Sequence, residues 1–464
     1  MELRTELRRA GAQLVDRVTQ YSKSRIADVK NLSWWTVMGV GLISASLAGC
    51  GGGSGSDSGN LRVINATLTH ASLDVIKASD SSKLLSATAL DTVSASVGVS
   101  SSGDTLQITD AGNTTALATV APSVAGGQHS AMVVYESSGA VKAAFLGEDF
   151  TVPAAGTAFL KVFFAAPDAG SLDVYVVAST ADITSATPVS FGTTSAAALS
   201  TQPTQFTPGT YRVRVTGQGS KTDIRLDIPS ITLTSATVNT LILTPTAGGV
   251  LVNGSTLVQQ AATYAASRNT NARVRVVAGI PGNVPVSATV GTTPVSIAQG
   301  SPSVGSYVVV PAASTALSYT VGSNAAITTA LPATTLAVGT DTTLLLTGAA
   351  ATPTLTTIAD DNHLPTTSTS AKVRLVNGMS GSGSATMQVN LVAVANGIGY
   401  PGASAYTSLT ANLLTTVNLS ASGISPAPAP LTSQPVGGNG VYTLYMLGDA
   451  TSADTRTYFL QSDR

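Results

Sequence analysis

The stretch LKVFFAAPDAGSLDVYV, residues 160–176, decides how the chain folds. Its first part is a short apolar strand with a basic residue, Lys161, near its start and a small residue, Ala165, closing it. The same string recurs. LRVINA begins at Leu61, VRVVAG at Val274 and VRLVNG at Val373, so successive copies lie 99, 114 and 99 residues apart. Arg62, Arg275 and Arg374 stand in the place of Lys161; Ala66, Gly279 and Gly378 stand in that of Ala165. Self-similarity at a near-fixed period is the signature of repeated structural units.

A second landmark closes each copy. AGGQHSAMVVY begins at Ala125, LTSATVNTLILT at Leu233, VGTDTTLLLTG at Val338 and VGGNGVYTLYMLG at Val436. Each is a polar turn feeding an apolar strand. A third landmark pairs PGTYRVRV (208–215) with VGSYVVV (304–310). Glycine frees the turn there and tyrosine opens the strand. Tyr211, Val213 and Val215 alternate with Arg212 and Arg214, the period of a half-buried strand. The two arginines read as its solvated face rather than as a ligand patch.

No long helical pattern follows Cys50, and short strands between Gly, Pro and Ser turns predict sandwiches. The expected fold class is all-β: four tandem Ig-like antiparallel β-sandwich modules of seven or so strands each. The modules are placed at 61–155, 156–262, 272–365 and 371–464, after a signal segment at 1–49 and a flexible tether at 50–60. Ser/Thr/Pro/Ala stretches at 261–271 and 364–371 read as short, semi-extended linkers, which predicts a rod of beads on a string.

Composition narrows the function classes. Charged residues make up 10% of the chain and apolar residues 43%, so a packed core is within reach and wholesale disorder is not expected. Removing residues 1–49, with seven Lys/Arg and four Asp/Glu, leaves 16 basic and 20 acidic residues, a net of −4. A weakly acidic chain without a basic run has no footprint for nucleic acid or for charge-driven association with anionic lipid. The single cysteine, Cys50, excludes an intramolecular disulfide.

Residues 160–176 and 208–215 resemble a bacterial domain family of unknown function, the one numbered 4397. That family opens roughly with Arg-Val-x-His-Ala-Ser-Pro-Asp, followed by Val-Asp-Val-Tyr. Module two keeps Pro167, Asp168, Leu172, Asp173, Val174 and Tyr175, and module one keeps Leu73, Asp74 and Val75. Modules three and four replace the Asp-containing strand with VSATV (286–290) and ATMQV (385–389). Asn65, Phe164, Ala278 and Asn377 stand where the family has its histidine. The resemblance implies Ig-like sandwiches, often in tandem, on exported proteins, and implies no activity.

The N-terminal region reads as an address. Residues 34–48, WWTVMGVGLISASLA, form an apolar run of 15, short of the roughly 20 residues a spanning helix needs. It fits the core of a secretory signal. Leu47-Ala48-Gly49-Cys50 then resembles a bacterial lipobox. The resemblance implies a diacylglyceryl group on the Cys50 thiol, signal-peptidase cleavage after Gly49 and acylation of the new amino terminus. Two or more acyl chains anchor stably where one does not. The alternative, a buried packing thiol, lacks apolar neighbours in a Gly/Ser tract. Gly51, not Asp, follows Cys50, which by the same resemblance favours the outer membrane; the periplasmic or cell-surface side stays open. The 33 residues before Trp34 are long for a signal. Residues 1–28 read either as a cytoplasmic extension or as a start placed too early, and the second reading is preferred.

The inventory for catalysis is poor. His70, His129 and His363 share no ligand spacing, and Glu136 and Glu148 are the only glutamates after Cys50. No phosphate loop opens onto a helix, and the mature chain has no tryptophan to stack a sugar. The best acidic candidates are Glu148-Asp149 and Asp360-Asp361, in GEDFTVP and ADDNHLP, which read as one repeated exit turn. A Ca²⁺ ion between modules is the functional reading of these four residues. Turn chemistry is preferred, because Ca²⁺ takes six or more oxygens. No enzyme activity and no cofactor are expected. The function expected is a lipid-anchored envelope protein in structural or adhesive interaction. Its partners are the membrane through Cys50 and a protein or envelope polymer. The alternative is a filament or matrix subunit that self-associates through sheet edges.

Overall fold

The computed structural model describes residues 58–137, 139–192, 198–199 and 202–464. Leu47, Ala48, Gly49 and Cys50, the apolar run and the tether up to Asp57 lie outside the described residues. Among the described residues no helix is long and apolar enough to cross a membrane.

The chain is all-β, built as sandwich modules. Module one contains β1 (Ser58–Asn65), β2 (Ser72–Lys77), β3 (Lys83–Ala89), β4 (Val97–Ser100), β5 (Leu106–Asp110), β6 (Ala116–Val120), β7 (His129–Ser137) and β8 (Ala140–Gly147). One sheet has the order β4-β1-β7-β8 and the other β3-β2-β5-β6. We call the first the inner sheet and the second the outer sheet. The other modules repeat this plan. Their inner sheets centre on Ala158–Phe164, Asn271–Ala278 and Ser370–Ser380.

The first and second sequence landmarks are neighbours in space. LRVIN of β1 runs parallel to β7, from Asn60 opposite His129 to Asn65 opposite Val134. The equivalent strands of the other modules are parallel too. One parallel pair per module therefore departs from the antiparallel expectation. The strand after the closing turn enters from the same end as the first strand, so it can join only in parallel.

A bulge is kept through sequence drift. Asp74 accepts the main-chain N–H of Ala87 (2.8 Å), whose φ of 50° lies in the left-handed region, and that of Gly112 (2.9 Å). In module three Ser287 Oγ accepts the N–H of Ala298 (2.8 Å, φ 47°). Both caps sit at a register shift in the ladder. The hydroxyl thus replaces the family carboxylate in holding a strained bulge residue.

The two sheets differ in what covers them. In the outer-sheet strand Gly209–Gly217, Val213 and Val215 are buried while Arg212 and Arg214 are half-buried and paired with Asp227. In β1 every residue from Leu61 to Asn65 is buried. Leu61 and Val63 enter the module's own core, and Ile64 faces the next module. There Ile64, Val133 and Leu146 pack with Phe163, Ile242 and Leu257 of module two. In the same way Val277 and Leu345 of module three pack with Val376, Tyr445 and Leu447 of module four.

The expected rod is therefore corrected to two face-to-face pairs. Burying one large apolar side chain is worth about 1.5–3 kcal/mol, and separated modules would forfeit this at every inner-face position. The first expected linker is not free either. Tyr264–Ser267 is an edge strand paired with Val252–Val258, and Arg268 binds Asp91 (2.9 Å) and the Thr67 carbonyl (2.7 Å). The third landmark is corrected as well. PGTYRVRV lies in an outer sheet against Leu172–Ala178, whereas VGSYVVV ends in Val308–Pro311, on an inner sheet beside Asn271–Ala278. Glycine before a β-branched strand marks a turn into any strand, so it does not fix which one.

The pairs also touch each other. Gly248 N donates to the Gly339 carbonyl (2.8 Å), and a Cβ at Gly248 would collide with that oxygen. Glycine is required there for the approach of two main chains.

Candidate functional site

The basic residue that opens each repeat is buried. Arg62, Lys161, Arg275 and Arg374 are exposed by 5%, 1%, 2% and 1%. Each sits on an inner sheet and points at the partner module, where an unpaired charge would be costly.

Between modules three and four the charges are met reciprocally. Arg275 of module three donates from Nη1 to Asp463 of module four (2.5 Å). Arg374 of module four donates from Nη2 to Asp360 of module three. Each guanidinium also donates from Nε to a threonine of its own module, Arg275 to Thr343 (2.9 Å) and Arg374 to Thr443 (3.0 Å). Those hydroxyls donate in turn to Asp360 (2.6 Å) and Asp463 (2.5 Å). Each guanidinium lies over a tyrosine ring, Arg275 over Tyr307 (4.4 Å) and Arg374 over Tyr406 (4.5 Å). Tyr307 donates to Asp360 (2.7 Å), and Tyr406 reaches Asp463 at 3.3 Å. Arg374 holds Asp360 below the usual carboxylate range against the opposing effect of burial. Burial drives the Tyr307 and Tyr406 hydroxyls up, so they remain donors.

Between modules one and two the pattern is lopsided. Glu148 occupies the strand-exit position of Asp360, and Gln259 occupies it in module two, as the ladders of the exit strands show. Arg62 binds Glu148 of its own module from Nε (2.7 Å) and from Nη2. Its remaining donors go to the module-two carbonyls of Ala261 and Val258, the second at 2.9 Å. Lys161 sits 3.1 Å from the centroid of the Phe150 ring. Burial pushes its ammonium down to about 8, with Glu148 partly offsetting the shift. Gln259 exchanges two hydrogen bonds with the main chain of Phe150 (2.8 and 3.1 Å).

The structure thus gives each of the four exit-turn acids a partner. Glu148 and Asp360 are held by guanidinium groups. Asp149 pairs with His129 (2.9 Å), and Asp361 pairs with His363 and Lys372 (2.6 Å each). Among the described residues no group of three or more His, Cys, Asp or Glu is arranged to hold a metal ion. Asp173 accepts the main-chain N–H of Gly219 (2.9 Å), 46 residues away in a turn beyond the neighbouring strand. Asp463 and Gln259 were not singled out in the sequence, although both stand at the strand-exit position of Glu148.

The positions of the lost family histidine have taken up stitching in two modules. Asn65 donates to the carbonyls of His70 and Thr88 (3.1 Å each). Asn377 donates to those of Gly383 (3.1 Å) and Ile398 (3.0 Å).

A cleft of about 830 Å³ opens where modules two, three and four meet. Arg225, Arg273, Arg275 and Arg464 line it, with Asp223, Asp463 and Tyr307. Most of these charges are paired within the wall. Arg225 binds Asp223 (2.7 Å), Arg273 binds Asp341 (2.5 Å) and Arg275 binds Asp463. The cleft presents hydrogen-bond donors and guanidinium planes.

A comparison with curated proteins finds no match. Residues 59–175, spanning module one and the opening of module two, match the family model described as Domain of unknown function (DUF4397), the family that the sequence resembles.

Proposed function

We propose that this chain is a lipid-anchored cell-envelope protein whose packed sandwich modules serve structural or adhesive interaction. The tetrapeptide Leu47-Ala48-Gly49-Cys50 carries the reading, because an apolar run precedes it and a Gly/Ser tract follows it. The commitment of the buried carboxylates to guanidinium groups supports a structural role for them over acid–base chemistry. The test is Cys50→Ser in a bacterial host, followed by membrane fractionation and labelling with a palmitate analogue. The expected result is an unlabelled, uncleaved precursor that leaves the outer-membrane fraction. Labelled, cleaved protein in the variant overturns the reading.

A second reading, a filament or matrix subunit, is supported by the outer-sheet end strands. Ile327–Ala330 and Leu431–Val436 each pair on one side only, leaving unpaired main-chain groups on the other. Negative-stain imaging separates the two: regular fibres favour the second reading and discrete particles the first.

A further inference from the structure

We infer that the cleft between modules two, three and four is a binding site for a small oxyanion-bearing molecule, held by Arg464 together with Arg225 and Arg273. Nothing in this depends on the lipid anchor or on adhesion.

The side-chain charges of the wall carry the inference. Arg225, Arg273 and Arg275 each have a carboxylate within 2.7 Å. Arg464 has none: among the described residues no Asp or Glu side chain lies within ion-pair distance of its guanidinium. Its bonds run from Nη1 alone, to the main-chain carbonyls of Asp168 (2.5 Å), Gly249 (3.2 Å) and Asn362 (3.0 Å). These carbonyls belong to modules two and three, so the guanidinium is clamped in place across the junction. Among the described residues its Nε and Nη2 donors have no hydrogen-bond partner.

The acids of the neighbourhood are engaged by the other arginines, Asp223 by Arg225, Asp341 by Arg273 and Asp463 by Arg275. Burial, with the guanidinium groups of Arg225 and Arg273 behind it, pushes Arg464 down to about 9, and Asp341 and Asp223 only partly offset this. A cation loosened by like charges is stabilised by an anion set between them. The planar forks of arginine suit phosphate and carboxylate oxygens. The volume, about 830 Å³, falls in the range of small-molecule sites. A free protein surface patch would spread such charges over solvent; here three modules bring them to one hollow.

The test is isothermal titration of the full chain in detergent, at fixed ionic strength, with inorganic phosphate and with citrate as separate probes. Binding to at least one probe is expected at concentrations below about 10 mM. A preference for phosphate points to a phosphate ester, and a preference for citrate points to a polycarboxylate. Arg464→Gln is expected to weaken that binding by about tenfold or more. Arg212→Gln, on the same sheet as Arg225 but outside the cleft lining, leaves it unchanged. No binding to either probe, or equal binding by Arg464→Gln, overturns the site and leaves Arg464 as a carbonyl clamp. Should Arg464→Gln fail to fold, Arg464→Lys keeps the charge and loses the fork. Binding unweakened in Arg464→Lys likewise overturns the site.

Discussion

The two joins between paired modules solve one problem with different inventories. Each must bury two cations, Arg62 and Lys161 in one and Arg275 and Arg374 in the other. The join of modules three and four has two carboxylates, and each module's acid serves the other module's arginine. At the strand-exit positions the join of modules one and two has one, Glu148, while Asp168 of module two, also buried there, accepts from Ser137 of module one. Gln259 replaces the second acid, so Glu148 faces both cations and carbonyl oxygens take up the remaining donors of Arg62. A buried charge is thus tolerated by hydrogen bonds to neutral oxygens where the acid is missing, but its partner ammonium loses proton affinity. Reciprocal exchange distributes the risk of losing one group; a shared acid concentrates it.

The largest expected effect tests that concentration. Glu148→Gln strands two buried cations and is expected to destabilise by about 3–5 kcal/mol, read from the urea midpoint. Asp463→Asn leaves the Arg374–Asp360 exchange standing, so its loss should be smaller. Equal losses would break the comparison between the joins.

Next comes Lys161→Met, which removes a buried ammonium that lacks an acid of its own. It is expected to stabilise by about 1–2 kcal/mol at neutral pH. The wild-type chain carries a distinct signature. The folded ammonium titrates near 8 and the unfolded one near 10.5, so between these values the unfolded state binds more protons. Wild-type stability should therefore gain a contribution as pH rises through that window, and Lys161→Met should lack it. Parallel pH profiles for the two proteins would remove this account of Lys161.

The smallest effect belongs to the outer sheet. Arg212→Gln breaks a half-exposed pair with Asp227 and should cost about 1 kcal/mol or less, with the cost shrinking in high salt. A loss as large as that of Glu148→Gln would erase the distinction between inner and outer sheets.

The sandwich repeats were legible because their strands recur as strings with a fixed order of turn and apolar run. Arg212 and Arg214 were legible for the same reason, since alternation with Val213 and Val215 leaves them on the solvated face. The packing of one module on another left a weaker mark. In LRVI and LKVFF both parities of the strand are apolar apart from one basic residue, and this is what a sheet covered on both sides looks like. The basic residue masks the pattern, because a lone arginine at an outward position resembles a surface charge. The exit-turn acids were visible as a repeat, but the guanidinium partners of Asp360 and Glu148 lie 14 and 86 residues away and are chosen by how sheets stack. The strand Tyr264–Ser267 passed for a linker because it is an edge strand, with small, half-exposed residues and no apolar stripe.

The face-to-face packing also governs how a chain of this design can change length. A lone module would display an inner sheet lined with side chains such as Ile64 or Val376, with a basic residue among them. An array of three would carry one such uncovered face and invite a stranger's sheet onto it. Gain or loss of repeats is therefore tolerable two at a time, and the heritable unit of this architecture is the couple.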